Sequence, residues 1–324
     1  MNKTDVVFLF PGQGAQYQGM ALDFLTAGSA AVKKLFEQAS AIFEKDVQAW
    51  LRDSDADTLK RTDVSQPTVT LANLAAAAFL AEQGYAPKAC AGFSLGEYAA
   101  LSCAGVISTE DCFRLVKARG AAMQQSADRL REASGGDASV APGMAAVVGL
   151  SPEQVESVIA QWASGGLKDL YAANINSPKQ VAVSGTAAAL TEAETRFKEA
   201  GAKRVIRLQV AGPFHSPLLA DAAQAFGPVL ESVTFNDPKI PLYSNVTGKR
   251  VSSGDEAKKL ALQQITSPVR WVDEEAAIIS DGGFTACLEV GPGKVLQGLW
   301  KDSGSELPCC AAGTVEDIKK LEEA

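Results

Sequence analysis

Five apolar residues in succession, Val6–Phe10, open the patterned part of the chain and stop at Pro11-Gly12. An unbroken run of that length predicts a parallel strand buried on both faces. Residues 29–43 and 67–83 then carry apolar positions at helical spacing, and Gly84 supplies a C-terminal stop. Residues 88–92 read as a second short strand, and 95–103 and 109–125 as helices. Strands alternating with helices predict an α/β fold around a parallel sheet.

The pattern changes at residues 131–142, where Gly, Ser, Ala and one Pro predict a loop. Beyond it come a strand over 144–150, a helix over 152–162, and strands over 171–175 and 180–184 joined by a turn at 176–179. A helix over 187–200 and a strand over 203–208 complete the set. The order β-α-β-β-α-β is the ferredoxin-like unit. It begins and ends with strands, so it can leave and rejoin another domain. Residues 132–209 therefore read as an insertion in a large α/β domain made of 1–131 and 210–324. In the second part, helices are expected near 216–232, 255–265 and 271–280. Strands are expected near 240–244, 284–289 and 307–311, with a polar helical tail from 315.

Composition narrows the function. With 324 residues, 47% hydrophobic, the chain can bury a full core. A net charge of -8 argues against a nucleic-acid partner. The six cysteines form no C-x-x-C pair and the chain has one histidine, so no metal site is expected. Scattered thiols fit a reducing compartment. The apolar run at the N-terminus is too short for a signal segment. The most apolar helical stretch, 71–81, falls short of the roughly 20 residues a membrane span needs. A soluble, cytoplasmic monomer is expected.

Gly92-Phe93-Ser94-Leu95-Gly96 has the G-x-S-x-G spacing of a nucleophilic serine between a strand and a helix. A Ser N-cap after a strand would look similar. A serine nucleophile needs a base, and His215, in "AGPFHSPLL", is the only imidazole. Gly212-Pro213 and Pro217 make its loop a rigid turn. No acid between 94 and 215 sits at an evident strand end of the large domain, so a backbone carbonyl is left to orient the ring. In "FPGQGAQYQGM" the glycine spacing fails as a dinucleotide fingerprint, because Tyr17 stands where the third Gly belongs. The turn suits an oxyanion hole instead, with N–H groups from Gln13 and Leu95. Arg119 falls on an otherwise apolar helix. It could pair with a substrate carboxylate, although from the helix alone a surface ion pair with Glu97 or Asp111 is the simpler reading.

Eight segments in order, "FPGQGAQYQGM", "GFSLGEYAAL", "LVKARGAAMQ", "GMAAVVGL", "NINSPKQVAVSG", "AGPFHSPLL", "SNVTG" and "LEVGPGKVL", resemble those of malonyl-CoA:acyl carrier protein transacylases of type II fatty-acid synthesis. The resemblance runs from about residue 6 to 302. It implies an α/β-hydrolase-like subdomain with an inserted ferredoxin-like one. It implies malonyl transfer from malonyl-CoA to acyl carrier protein through an ester on Ser94, with no cofactor. His215 matches the general base and acid, Gln264 the residue whose carbonyl orients it, and Gln13 and Leu95 the oxyanion donors. Arg119 matches the residue that binds the malonyl carboxylate, displacing the ion-pair reading. Met123, Asn174 and Asn176 match positions lining the acyl pocket.

Phe214 stands where related domains choosing malonyl carry Phe, and it would crowd the substrate α-carbon. Phe93 departs from the family, which often has His there, and the loop around 126–142 is longer than in compact members. Lys203, Arg204, Arg207, Lys249 and Arg250 are candidates for a carrier-protein patch. A serine esterase or thioesterase, a polyketide-type trans-acting acyltransferase and a non-catalytic binding module are the competing readings.

Overall fold

The computed structural model describes residues 2–137 and 140–323. Its strands are β1 (Val6–Phe10), β2 (Pro87–Gly92), β3 (Gly143–Val148), β4 (Leu170–Ser177), β5 (Gln180–Gly185), β6 (Arg204–Arg207), β7 (Tyr243–Ser244), β8 (Lys249–Arg250), β9 (Ala286–Glu289) and β10 (Cys309–Ala311).

Four of them, in the order β10-β9-β1-β2, form a parallel sheet. The apolar run Val6–Phe10 lies inside it, and every residue of the strand is buried. The helices Thr62–Glu82, Gly96–Cys103 and Thr109–Ala133 pack around this frame. A second sheet, antiparallel in the order β4-β5-β3-β6, carries the helices Pro152–Ser164 and Ala187–Glu199. This is the expected ferredoxin-like unit. It has its own apolar cluster, in which Val147, Val155, Leu190 and Phe197 are buried. β4 also bridges to the segment that precedes the helix Trp271–Asp281. The Ile175 N–H donates to the Val269 carbonyl, and the Val269 N–H to the Ala173 carbonyl, both at 2.8 Å.

The helices Val47–Asp53, Ala56–Lys60 and Val295–Asp302 have no counterpart in the sequence reading, and three expected elements differ in extent. The apolar helix begins at Thr62, not 67, and takes Pro67 inside it. Beside the proline, the Thr68 hydroxyl bonds to the carbonyls of Val64 and Ser65. At 21 residues the helix is long and apolar enough to cross a membrane, so the length argument fails. Burial answers instead, since 83% of its apolar window is inside the protein. The helix starting at Thr109 runs to Ala133, so residues 126–133 are not loop. Ala127 extends its buried face, and Asp221 accepts from both Ser126 and Arg129. Gly135 and Gly136, with φ of 85° and 81°, then end it. The strand expected over 240–244 is cut to two residues, because Pro241 has no N–H to give a ladder. The Pro241 carbonyl still accepts from Cys90 at 2.8 Å, which places this segment beside β2.

Candidate active site

The turn from β2 into the helix Gly96–Cys103 is crowded. A Cβ at Gly92 would collide with the Gly96 carbonyl, and one at Gly96 with the Phe10 carbonyl on β1. Both positions therefore exclude any side chain. Ser94 sits between them with φ of 50°, in the left-handed region that costs a non-glycine residue about 1–3 kcal/mol. The strain turns its hydroxyl out of the sheet. Asn245 stabilises the conformation. Its Oδ1 accepts from the Ser94 N–H at 2.7 Å, and its Nδ2 donates to the Gly92 carbonyl at 2.6 Å.

Ser94 Oγ lies 2.7 Å from His215 Nε2. His215 Nδ1 lies 2.9 Å from the Gln264 carbonyl oxygen. A carbonyl only accepts, so Nδ1 carries the proton and Nε2 presents a lone pair to the serine hydroxyl. Among the described residues no carboxylate is bonded to the ring, and Nδ1 faces a backbone carbonyl. His215 also has a positive φ, 56°. Its loop is held from both sides, by Ser184 on β5 donating to the Phe214 carbonyl at 2.5 Å and by Ser216 donating to the Pro213 carbonyl at 2.6 Å. Burial, and next the positive charge of Arg119, push the imidazole down to about 4, against the bond to Gln264. It is therefore neutral at physiological pH.

The Pro11–Gln13 turn packs on the elbow so closely that a Cβ at Gly12 would strike the Phe93 carbonyl. The Gln13 side chain is occupied elsewhere, donating to the Lys60 carbonyl and accepting from Thr62. Leu95 is the cap of the following helix, so its N–H lies at a positive helix end.

Arg119 is 1% exposed, which overturns the surface ion pair with Glu97 or Asp111. Its Nη1 donates to Gln66 Oε1 and its Nη2 to Gln264 Oε1, both at 2.9 Å. Its guanidinium lies 5.4 Å from the Tyr98 ring centre, and its Nε has no partner. Burial lowers its proton affinity from the usual arginine value.

These groups meet in a cavity of about 210 Å³ lined by Gln13, Ser94, Leu95, Arg119, Met123, Asn174, Asn176, Phe214 and His215. The residues singled out from the sequence for catalysis and acyl binding are here except Gln264, whereas the basic residues proposed for carrier docking lie elsewhere. Phe93 also lines the cavity and packs edge-on against Trp271 at 5.6 Å. Sequence reasoning missed a buried polar network beneath it. Gln264 Nε2 donates to the Ser94 carbonyl at 3.0 Å and to Glu97 Oε2 at 2.5 Å. Asn245 Nδ2 also donates to Glu274 Oε1 at 2.7 Å. Burial pushes Glu97 up to about 7 and holds Glu274 well above the carboxylate range. The signals were present: Gln66 interrupts an apolar helix, Glu97 follows the serine by one helical turn, and Asn245 lies in "SNVTG".

A strained serine at a strand–helix turn, a neutral imidazole at its hydroxyl and a parallel-sheet frame together have the arrangement of enzymes that pass an acyl group through a serine ester. Comparison with known proteins agrees. Residues 7–322 match the acyl transferase domain family. The chain is 35% identical over 317 residues to the malonyl CoA-acyl carrier protein transacylase of Bacillus subtilis, covering 98% of this chain and 96% of that protein. It superposes on an acyl carrier protein S-malonyltransferase from Vibrio cholerae with a TM-score of 0.88 and 34% identity, covering 98% and 100% of the two chains. A malonyl-transacylase solved in complex with its type II PKS acyl-carrier protein also has a TM-score of 0.88, with 33% identity and coverage of 99% and 100%. The chain belongs to the acyl transferase domain family, within its malonyl CoA-acyl carrier protein transacylases.

Proposed function

We propose that the protein transfers the malonyl group from malonyl-CoA to the phosphopantetheine thiol of an acyl carrier protein, through an ester on Ser94. One observation carries the reading: the Ser94–His215 pair opens into the same cavity as Arg119, a buried cation with an unpartnered N–H and no carboxylate bonded to it.

In the first half, the malonyl carboxylate pairs with Arg119. His215 Nε2 takes the Ser94 proton as Oγ bonds to the thioester carbon. The N–H groups of Gln13 and Leu95 hold the oxyanion. The C–S bond breaks, and the CoA thiolate leaves with the proton from His215. In the second half the carrier's thiol gives its proton to His215 and attacks the malonyl-serine. Oγ departs with that proton, which regenerates the enzyme. No step calls for a cofactor. Gln264 orients the imidazole. Met123, Asn174, Asn176 and Phe214 shape the space around the acyl group, with Phe214 crowding the substrate α-carbon.

Domain limits of 132–209 for the insertion and 1–131 with 210–324 for the catalytic part fit this arrangement, since β5 supplies the Ser184 that holds the histidine loop. The reading includes a cytoplasmic monomer. Lys203, Arg204 and Arg207 at the exposed β6, with Lys249 and Arg250 on β8, are the proposed contacts for an acidic carrier. Among the described residues only Arg250 of these five has an acidic partner within 4.0 Å, Asp281 at 3.7 Å.

The test is turnover. Purified protein mixed with malonyl-CoA and holo acyl carrier protein is expected to give malonyl-carrier stoichiometrically with free CoA. Release of free malonate instead would make the protein a thioesterase.

A further inference from the structure

Arg119 is hydrogen-bonded to two amides and no acid. Guanidinium N–H groups only donate, so the oxygen of each amide must face them. For Gln66 the orientation is fixed twice, because its Nε2 points the other way, to Met123 Sδ at 3.3 Å. The remaining neighbour is the Tyr98 ring face. Of the acids in the network, Glu97 reaches the amide nitrogen of Gln264 and Glu274 that of Asn245, and neither is bonded to the guanidinium. A buried arginine is ordinarily stabilised by a carboxylate. Here the amides orient the cation and leave it without a directly bonded counter-ion, with the field of Glu97 acting only from beyond Gln264.

We infer that Gln66 is a specificity-determining residue. Its neutral amide positions Arg119 and leaves the guanidinium free to bond the carboxylate of an acyl group. An acid at the same position would complete the ion pair internally and turn the site toward uncharged acyl groups. Gln66 is 1% exposed and does not line the cavity, so it acts through Arg119 and not by touching substrate. Gln264 is no equivalent lever, because its carbonyl also orients His215 and its amide nitrogen serves Ser94 and Glu97. The inference rests on the malonyl-transfer reading.

Two variants separate charge from packing. Gln66→Glu is nearly isosteric and adds the carboxylate. Gln66→Met keeps the volume, removes the amide and adds no charge. For each, and for the wild type, kcat/KM for acyl-enzyme formation is measured with malonyl-CoA and with acetyl-CoA by rapid quench and intact mass. In Gln66→Glu the malonyl-to-acetyl ratio is expected to fall on the order of 100-fold, through loss with malonyl and retention with acetyl. Gln66→Met, which loses the positioning bond but adds no charge, is expected to lower the ratio by no more than roughly 10-fold. An unchanged ratio in Gln66→Glu would overturn the inference, and so would an equal fall in Gln66→Met. A Gln66→Glu protein that does not fold also counts against it, since a cation without a directly bonded counter-ion should accept the new carboxylate. The wild-type ratio stands apart: absence of malonyl preference there would refute the malonyl reading itself.

Discussion

Arg119→Gln removes one charge and should change two quantities at once. The first is malonyl transfer. Leaving one member of a buried charge pair without its partner costs about 3–5 kcal/mol, or roughly 10²- to 5 × 10³-fold in rate. That loss should fall on malonyl-CoA and spare acetyl-CoA, which has no carboxylate to place. The second is the pH dependence of the base. His215 is lowered from 6.5 to about 4, a depression worth roughly 3 kcal/mol of basicity. Burial is the larger cause and survives the substitution, whereas the field of Arg119 does not. The acid limb for acetyl-serine formation should therefore start near 4 in the wild type. In Arg119→Gln it should rise, while staying below 6.5. Stopped acylation assays between pH 3.5 and 8, with acetyl-CoA for both proteins, would measure it. A limb at the same pH in both would refute the electrostatic link between Arg119 and His215. A wild-type limb at 6.5 would refute the burial argument as well.

Further expectations concern the elbow, its support, the buried acids and the carrier patch. Gly96→Ala should destabilise the fold by about 1–3 kcal/mol or more and abolish acylation, because its methyl meets the Phe10 carbonyl; normal melting and activity would contradict the packing. Asn245→Ala frees the Ser94 N–H and the Gly92 carbonyl, so kcat for acyl-enzyme formation should drop at least 10-fold with little change in KM; a pure KM effect would remove Asn245 from positioning. Glu275, raised to about 8 mainly by burial, has a folded value above its unfolded one. Its contribution is complete below pH 4.5 and is lost as pH rises through 8, by up to roughly 5 kcal/mol. Glu275→Gln should flatten the fall in Tm across that window, and an unchanged slope would contradict the assignment. Reversing the charges of Lys203, Arg204 and Arg207 together should raise KM for carrier protein and leave acylation by malonyl-CoA unchanged, which separate half-reaction assays would resolve.

Local patterns made much of this architecture readable in the chain. The unbroken apolar run Val6–Phe10 could only be a buried strand, and the β-α-β-β-α-β order emerged from turn residues and alternation between 144 and 208. The serine elbow was legible because sterics leave glycine no substitute at 92 and 96. The lone histidine needed no choice. Arg119 was not legible from its own helix, since burial is set by helices far away in sequence. Gln66, Asn245 and Glu97 were missed for the same reason: their roles exist only once residues 66, 94, 119, 245 and 264 are brought together. Pro67 misled the helix start, because tertiary packing of a 21-residue apolar helix outweighs one lost hydrogen bond. The Thr109 helix was cut short where Asp221, distant in sequence, holds Ser126 and Arg129.

The central claim is that one hydroxyl carries the acyl group between two thiols. The most direct measurement is peptide mapping of protein quenched after mixing with malonyl-CoA alone. Malonyl is expected on the peptide at Ser94, lost when holo carrier protein is added and recovered on the carrier, with no adduct in Ser94→Ala. Malonyl on a cysteine, or carrier loading by Ser94→Ala at the wild-type rate, would contradict the account.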